Sequence, residues 1–318
     1  MQHSAPDTTA PDSAIQAQTP PIHGCCSAEI LAKFVEFGKT GMMPQDLARW
    51  LDDPKAQYIE PWKPFDNVHF VGVCWVSAWL IETPDGAVLI DTLYGPHVDQ
   101  LIENIRATGV DFADIKYVLM THGHFDHVGG AARMKELLPN ARFAMTQKGW
   151  DETPADVAMW RGTPNEYEMV DPDIVLEDGG SITCGGEIFT AIETPGHTWG
   201  TASYTYDVFD AGAKHRAITV GGLGLNAIEG PAQVEAFIAS VDRIKDLVEA
   251  EDAPVMVHLT MHGFSANLEE NRQIHQQRKA GEGNVFLNPD VVLGELSFLR
   301  AGAVRRLAIE QQNLSEQS

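Results

Sequence analysis

Three imidazoles and a carboxylate fall within six consecutive positions of the run Thr121-His122-Gly123-His124-Phe125-Asp126-His127. Neutral imidazole and carboxylate are the donor types that suit zinc. The run directly follows the apolar stretch 116–120, which reads as a buried strand, and a strand end is rigid enough to aim ligands. Alternate residues of extended backbone point to the same side. His122 and His124 can therefore share one metal, while Asp126 and His127 face a second, and Gly123 leaves room for the backbone to crowd the ions. With 12 histidines in the 318-residue chain, such clustering is improbable by chance.

Further ligands must come from elsewhere in the chain. His197 closes the strand-like run Glu193-Thr194-Pro195-Gly196-His197, and His262 follows another in Leu259-Thr260-Met261-His262-Gly263. A lone histidine after a strand is more often a surface or capping residue. Two of them at strand ends, each near glycine and joined to a metal loop, read as ligands. His69, His97, His215, His258 and His275 lack that context and read as ordinary residues.

The elements that must position these groups follow from apolar periodicity and breakers. Two short helices are predicted, one from a Ser27 cap through Ile30, Leu31, Phe34 and Val35, the other starting at Pro44 and burying Leu47, Trp50 and Leu51. Strands are predicted over 69–73, 76–82 and 87–91, the last two joined by a turn at Pro84-Asp85-Gly86. Val98, Leu101, Ile102 and Ile105 mark an amphipathic helix closed by Gly109. Strands recur near 142–146, 188–193, 202–208, 216–221 and 254–259. The clearest helix spans 231–250. Asn267 is predicted to open another through a capping box with Glu270, and Asn288-Pro289 the last. Strands interleaved with helices in both halves predict an α/β chain with two sheets sandwiched between helices.

Composition bounds the partners. Apolar residues make up 44% and charged residues 21% of the chain, as in an ordinary globular protein. A formal charge of −23 argues against nucleic acid and anionic membrane, and no apolar run of spanning length occurs, so the expected partner is a small-molecule substrate. Residues 1–23, rich in Ser, Thr, Pro, Ala and Gln, read as a disordered leader without a signal peptide. As printed, the chain is expected to be cytoplasmic, or periplasmic if a signal was trimmed. Residues 24–60 read as a helical extension and 61–318 as the catalytic unit. Cys25 and Cys26 are adjacent and poorly placed to bridge each other, and Cys74 and Cys184 lie in strand-like runs. All four read as small buried thiols.

The order of Asp91 after a strand, then the His-x-His-x-Asp-His loop, then Thr194-Pro195-Gly196-His197-Thr198, then a late histidine resembles the metallo-β-lactamase superfamily over roughly residues 60–310. The resemblance implies an αββα sandwich with two zinc ions per chain. It assigns the first metal to His122, His124 and His197, and the second to Asp126, His127 and His262. Asp91 would support the site without binding metal, a buried turn aspartate being the alternative. Thioesterase, nuclease and lactonase branches carry a carboxylate bridging both metals, but the corresponding stretch here, from Ile218 to Asn226, has none. The pattern is more similar to the β-lactamases with only His and Asp ligands. It departs from them at Gly222, where serine is common, at Trp199, where proline is common, and in its longer N-terminal helices.

The resemblance implies a zinc hydrolase that opens a β-lactam-type cyclic amide with a hydroxide supplied at the metals, Asp126 and His262 being the residues nearest the chemistry. A lactone or ester hydrolase is the alternative. A non-hydrolytic metal binder or an iron oxidoreductase is a third reading, opposed by the complete ligand set and the missing bridging carboxylate. The N-terminal helices expose an apolar face and are expected to pack beside the metal cleft, a simple brace being the alternative.

Overall fold

Strand residues alternate between two destinations, and that alternation builds the layers. Ala87 and Leu89 pack with one cluster of buried side chains, whereas Val88 and Ile90 pack with another. Phe143 and Met145 likewise face opposite to Ala144. In the computed structural model, which describes residues 22, 24–40, 42–225 and 227–317, these strands form two sheets. The predicted leader lies outside the described residues, apart from Ile22.

Among the described residues, one sheet holds seven strands in sequential order: β1 (Trp62–Phe65), β2 (Val68–Phe70), β3 (Trp79–Thr83), β4 (Gly86–Ile90), β5 (Ile115–Leu119), β6 (Arg142–Thr146) and β7 (Ile174–Leu176). The other holds β8 (Ser181–Cys184), β9 (Glu187–Glu193), β10 (Ala202–Asp210), β11 (Ala213–Thr219) and β12 (Val255–His258), ordered β12-β11-β10-β9-β8. The main core lies between them, with Trp79, Ile90 and Leu119 from the first sheet against Phe189, Tyr204 and Tyr206 from the second. Each fully buried aliphatic or aromatic side chain there contributes about 1.5–3 kcal/mol by leaving water.

Helices cover both outer faces. The amphipathic helix predicted after β4 runs Val98–Thr108, and Gly109 closes it at φ 83°, a backbone conformation that glycine adopts without a Cβ penalty. Its Leu101, Ile102 and Ile105 pack on the outer face of the first sheet. Helices Pro231–Val248 and Pro289–Gln317 cover the second sheet through Val234, Phe237, Val292 and Leu296. The result is the αββα sandwich. No helix among the described residues is long and apolar enough to cross a membrane.

The N-terminal helices, α1 (Ser27–Thr40) and α2 (Gln45–Leu51), share the inter-sheet core through Ile30, Leu47, Trp50 and Leu51. The last turn of α2 leaves orphan carbonyls. The Tyr94 hydroxyl and a His97 ring nitrogen reach the Leu51 carbonyl at 2.7 and 2.8 Å, and the Gln57 amide donates to both Trp50 and Leu51.

Three sequence expectations change. Cys25 and Cys74 are not free thiols but form a disulfide, with Cα atoms 5.3 Å apart, while Cys26 and Cys184 are free. The helix after Asn267 spans Leu268–Gln276 without the expected capping box, because Asn267 is left-handed at φ 50° and its side chain does not cap. Glu270 instead accepts hydrogen bonds from the Ser27 amide and hydroxyl at 2.9 and 2.7 Å, tying this helix to α1. The unpredicted helix Gln147–Trp160 packs behind the histidine loop.

The disulfide closes a separation of 49 residues. Replacing Cys25 and Cys74 together by serine is expected to lower the unfolding free energy by roughly 2–4 kcal/mol, chiefly by freeing the unfolded chain. Urea unfolding of parent and variant measures this directly. An unchanged midpoint and slope would contradict a formed bridge.

Candidate metal centre

The strand directions carry the predicted residues to one edge. β4, β5 and β6 are mutually parallel, β11 and β12 are parallel, and β9 runs the same way as β11 through two antiparallel pairings. Asp91 follows β4, the histidine loop follows β5, His197 follows β9 and His262 follows β12. At this edge the Ala202 amide donates to the Thr121 carbonyl at 2.8 Å and the Tyr204 hydroxyl to the Met120 carbonyl at 2.7 Å. These bonds fasten the two sheets together where the ligands emerge.

All six predicted ligands meet there, in two groups. His122, His124 and His197 form one, and Asp126, His127 and His262 the other, with the donor atoms of each group within 4.8 Å of one another. His122, Asp126, His127 and His197 are buried, and His124 and His262 are half-buried. Among the described residues, other histidines lie elsewhere: His69 pairs with Glu82, His258 with Glu295, and His275 packs on Trp62 and Phe286.

Hydrogen bonds on the far side of each ring fix which nitrogen faces inward. The Nδ1 of His127 donates to an Asp91 carboxylate oxygen at 2.7 Å, that of His197 to the Gly224 carbonyl at 2.8 Å, and that of His262 to the Trp75 carbonyl at 2.9 Å. The Thr121 hydroxyl gives its proton to Asp91, so at 3.1 Å it accepts from His122 Nδ1. Four Nε2 lone pairs therefore point into the cluster. His122 Nε2 and His197 Nε2 both lie 3.1 Å from His124 Nδ1, and His127 Nε2 is buried with no hydrogen-bond partner. One proton on His124 satisfies one of these contacts, not both. The donor set fits cations, and its chemistry is that of zinc ligands.

The electrostatics keep five of the six donors in ligand form. Burial, reinforced by the neighbouring imidazoles, holds His122 well below the ordinary histidine range and brings His124 to about 3 and His262 to about 4. Burial likewise lowers His197. Asp126 is the opposite case: burial pushes its carboxyl up, but the imidazoles around it outweigh burial and pull it down. Burial would also lower His127, yet Asp126 and Asp91 together raise it. A neighbourhood that stabilises positive charge on a buried ring equally stabilises a bound cation.

Asp91 is both things expected of it, a buried turn aspartate at φ 60° and a support of the loop. Its carboxylate accepts from the Thr121 amide and hydroxyl, both at 2.8 Å, as well as from His127.

Sequence reasoning missed several supporting groups. The carbonyls of Trp75 and Gly224 orient ligands, but backbone acceptors leave no sequence signal. Asp156 and Tyr167 brace the loop from behind: the Tyr167 hydroxyl lies 2.9 Å from Asp156 Oδ1 and 3.3 Å from the Gly123 carbonyl. Burial pushes Asp156 up to about 6. Gly123 correspondingly faces the 147–160 helix rather than the cluster, since a Cβ there would lie 3.1 Å from the Gly149 carbonyl oxygen and Thr153 Oγ1.

The superfamily profile matches residues 71–208. The matched family is the metallo-β-lactamase superfamily. The hydroxyacylglutathione hydrolase of Bdellovibrio bacteriovorus is 30% identical over 182 residues, covering 56% of this chain and 60% of that protein. The enzyme of the same name from Rhodopseudomonas palustris BisB5 is 29% identical, covering 70% and 82%. BJP-1, a subclass B3 metallo-β-lactamase of Bradyrhizobium japonicum, shares the fold at a TM-score of 0.69 and 24% identity, over 81% of this chain and 97% of that one. The match to the superfamily and the absence of cysteine from both donor groups agree with the resemblance read from the sequence.

Gly222, one of the departures from the metallo-β-lactamase pattern, now has a physical reason. A Cβ at this position would lie 2.5 Å from Cβ and 2.8 Å from Cγ of His197. Gly222→Ser is therefore expected to displace the His197 ring and weaken metal binding by about 10-fold or more, as disturbed ligand support does. Competition with a chromophoric chelator measures this. Unaltered affinity in a folded variant would show that His197 is not held as described.

Proposed function

We propose that this metallo-β-lactamase superfamily hydrolase uses two zinc ions to open a β-lactam-type cyclic amide. The observation that carries the reading is the pair of donor triads, built from His and Asp alone, with no carboxylate in the stretch from Ile218 to Asn226. Bound zinc supplies a Lewis acid for the carbonyl and lowers the pKa of water to near neutrality.

The chain's own residues prepare that chemistry. His122, His124 and His197 would hold one cation, and Asp126, His127 and His262 the other, every ring but that of His124 being fixed by an outward hydrogen bond. Asp126 Oδ2 lies 3.4 Å from His127 Nε2 and 3.7 Å from His262 Nε2, at the inner face of the cluster. From there its carboxylate can accept a hydrogen bond from an attacking water and orient it. Trp75 lies beside this side of the centre, its ring 5.6 Å from that of His262 and 6.2 Å from that of Phe125.

A lactone or ester substrate is the second reading, favoured by the hydroxyacylglutathione hydrolases among the sequence relatives. The disulfide supports the exported alternative, because such bridges persist in oxidising compartments. Recovery of the native chain from cytoplasm with Cys25 and Cys74 reduced would contradict that reading.

Assays of the zinc-loaded protein with a chromogenic cephalosporin and an aryl lactone separate the two substrate readings. Turnover of the lactone alone transfers the proposal to the second, and turnover of neither refutes both. In the active assay, His262→Ala is expected to cost about 10-fold or more in rate. His275→Ala is expected to be silent, because His275 packs away from the centre. Equal losses would show that His262 has been given the wrong role.

A further inference from the structure

A band of aromatic rings runs from α1 onto the second donor triad. Phe34 of α1 stacks on Phe264 at 5.0 Å and 12°, and on Trp75 at 6.1 Å and 22°. Trp75 and Phe264 in turn lie 5.6 and 5.8 Å from the ring of His262, and Trp75 lies 6.2 Å from Phe125, which belongs to the histidine loop itself. All of these rings are half-buried, whereas Tyr94, edge-on to Trp75 at 5.4 Å, is buried. Phe34, Trp75 and Phe264 pack against the inter-sheet core on one side and keep accessible surface beside a polar centre on the other.

The shelf is held in place from several directions. The disulfide joins Cys25, two residues before α1, to Cys74, next to Trp75. Ser27 is bonded to Glu270 of the helix that follows Phe264. The Trp75 carbonyl accepts from His262 Nδ1. The flat surface and the metal-facing ligand therefore keep one relative position, and a preorganised surface of this kind loses little freedom when a ligand covers it.

We propose that Phe34, Trp75 and Phe264 form a binding subsite for a flat apolar, preferably aromatic, substituent carried by the substrate next to its reacting carbonyl. The proposal rests on the hydrolase reading and adds the substrate class: an aryl-substituted cyclic amide or ester rather than a bare ring. Continuity with His262 argues for this occupant, because a group on the shelf stays within a few bonds of the centre. Offset stacking on such rings corresponds to about 3- to 10-fold in affinity.

The test pairs benzylpenicillin with 6-aminopenicillanic acid, which share one reacting ring and differ by a phenylacetyl group. Zinc-loaded full chain is expected to show a KM about 3- to 10-fold lower for the arylated member. Phe34→Ala and Phe264→Ala should erase that preference through KM, with kcat nearly unchanged, while Phe34→Tyr should keep it. A binding arm independent of turnover uses fluorine NMR of 4-fluorophenylacetamide against fluoroacetamide. Only the aryl probe should broaden with the parent chain, and Phe34→Leu, which keeps apolar bulk without a flat face, should abolish the broadening. Failure of both penicillins to turn over, with the probe preference intact, sinks the cyclic-amide reading and supports the shelf. A preference that survives Phe34→Leu, or no preference in the parent, overturns the shelf.

Discussion

The centre depends first on one buried carboxylate. Asp91 sits at the end of β4 in a left-handed backbone conformation and takes hydrogen bonds from the Thr121 amide, the Thr121 hydroxyl and His127. An unpartnered carboxylate at this depth would be costly. Its three partners all lie at or beyond the end of β5, so satisfying Asp91 also sets where the histidine loop leaves the sheet. The same proton chain reaches His122, because the Thr121 hydroxyl that donates to Asp91 accepts from His122 Nδ1. One side chain thereby supports a ligand in each triad.

The second sheet completes what the first begins. His197 and His262 each spend their outward proton on a backbone carbonyl, of Gly224 and Trp75, and backbone in that position moves only with the fold. The helix 147–160 presses on the loop from behind, with the Phe125 and Trp160 rings 4.0 Å apart. Packing and hydrogen bonding thus aim the ligands, the general condition for a precise site. The N-terminal extension joins this frame through the disulfide and the Phe34 stack, so it reaches the neighbourhood of His262 as well as bracing the core.

The site was legible in the sequence because its donors are chemically distinctive and cluster after a strongly apolar strand. Their pairing into triads was half legible: extended-chain alternation links His122 with His124, but only the fold brings in His197 and His262. Helix 147–160 escaped notice because its buried face consists of Gly149, Trp150 and Thr153, with Pro154 inside, rather than an apolar stripe. β7 and β8, of 3 and 4 residues, are too short for period-2 alternation to register. The disulfide was hidden for a related reason, since nothing in the spacing of Cys25 and Cys74 reveals that α1 folds back onto the loop before β3. Asn267 carried a helix-start signal that the structure uses differently, with Glu270 spent on Ser27 instead of on the cap.

The central claim is that six preset donors form two cation sites at one edge of the sandwich. Crystals of the zinc-loaded chain, measured on both sides of the zinc absorption edge, test it most directly. The account predicts two anomalous peaks, one enclosed by His122, His124 and His197 and the other by Asp126, His127 and His262. A single peak, or peaks coordinated by other residues, would contradict it.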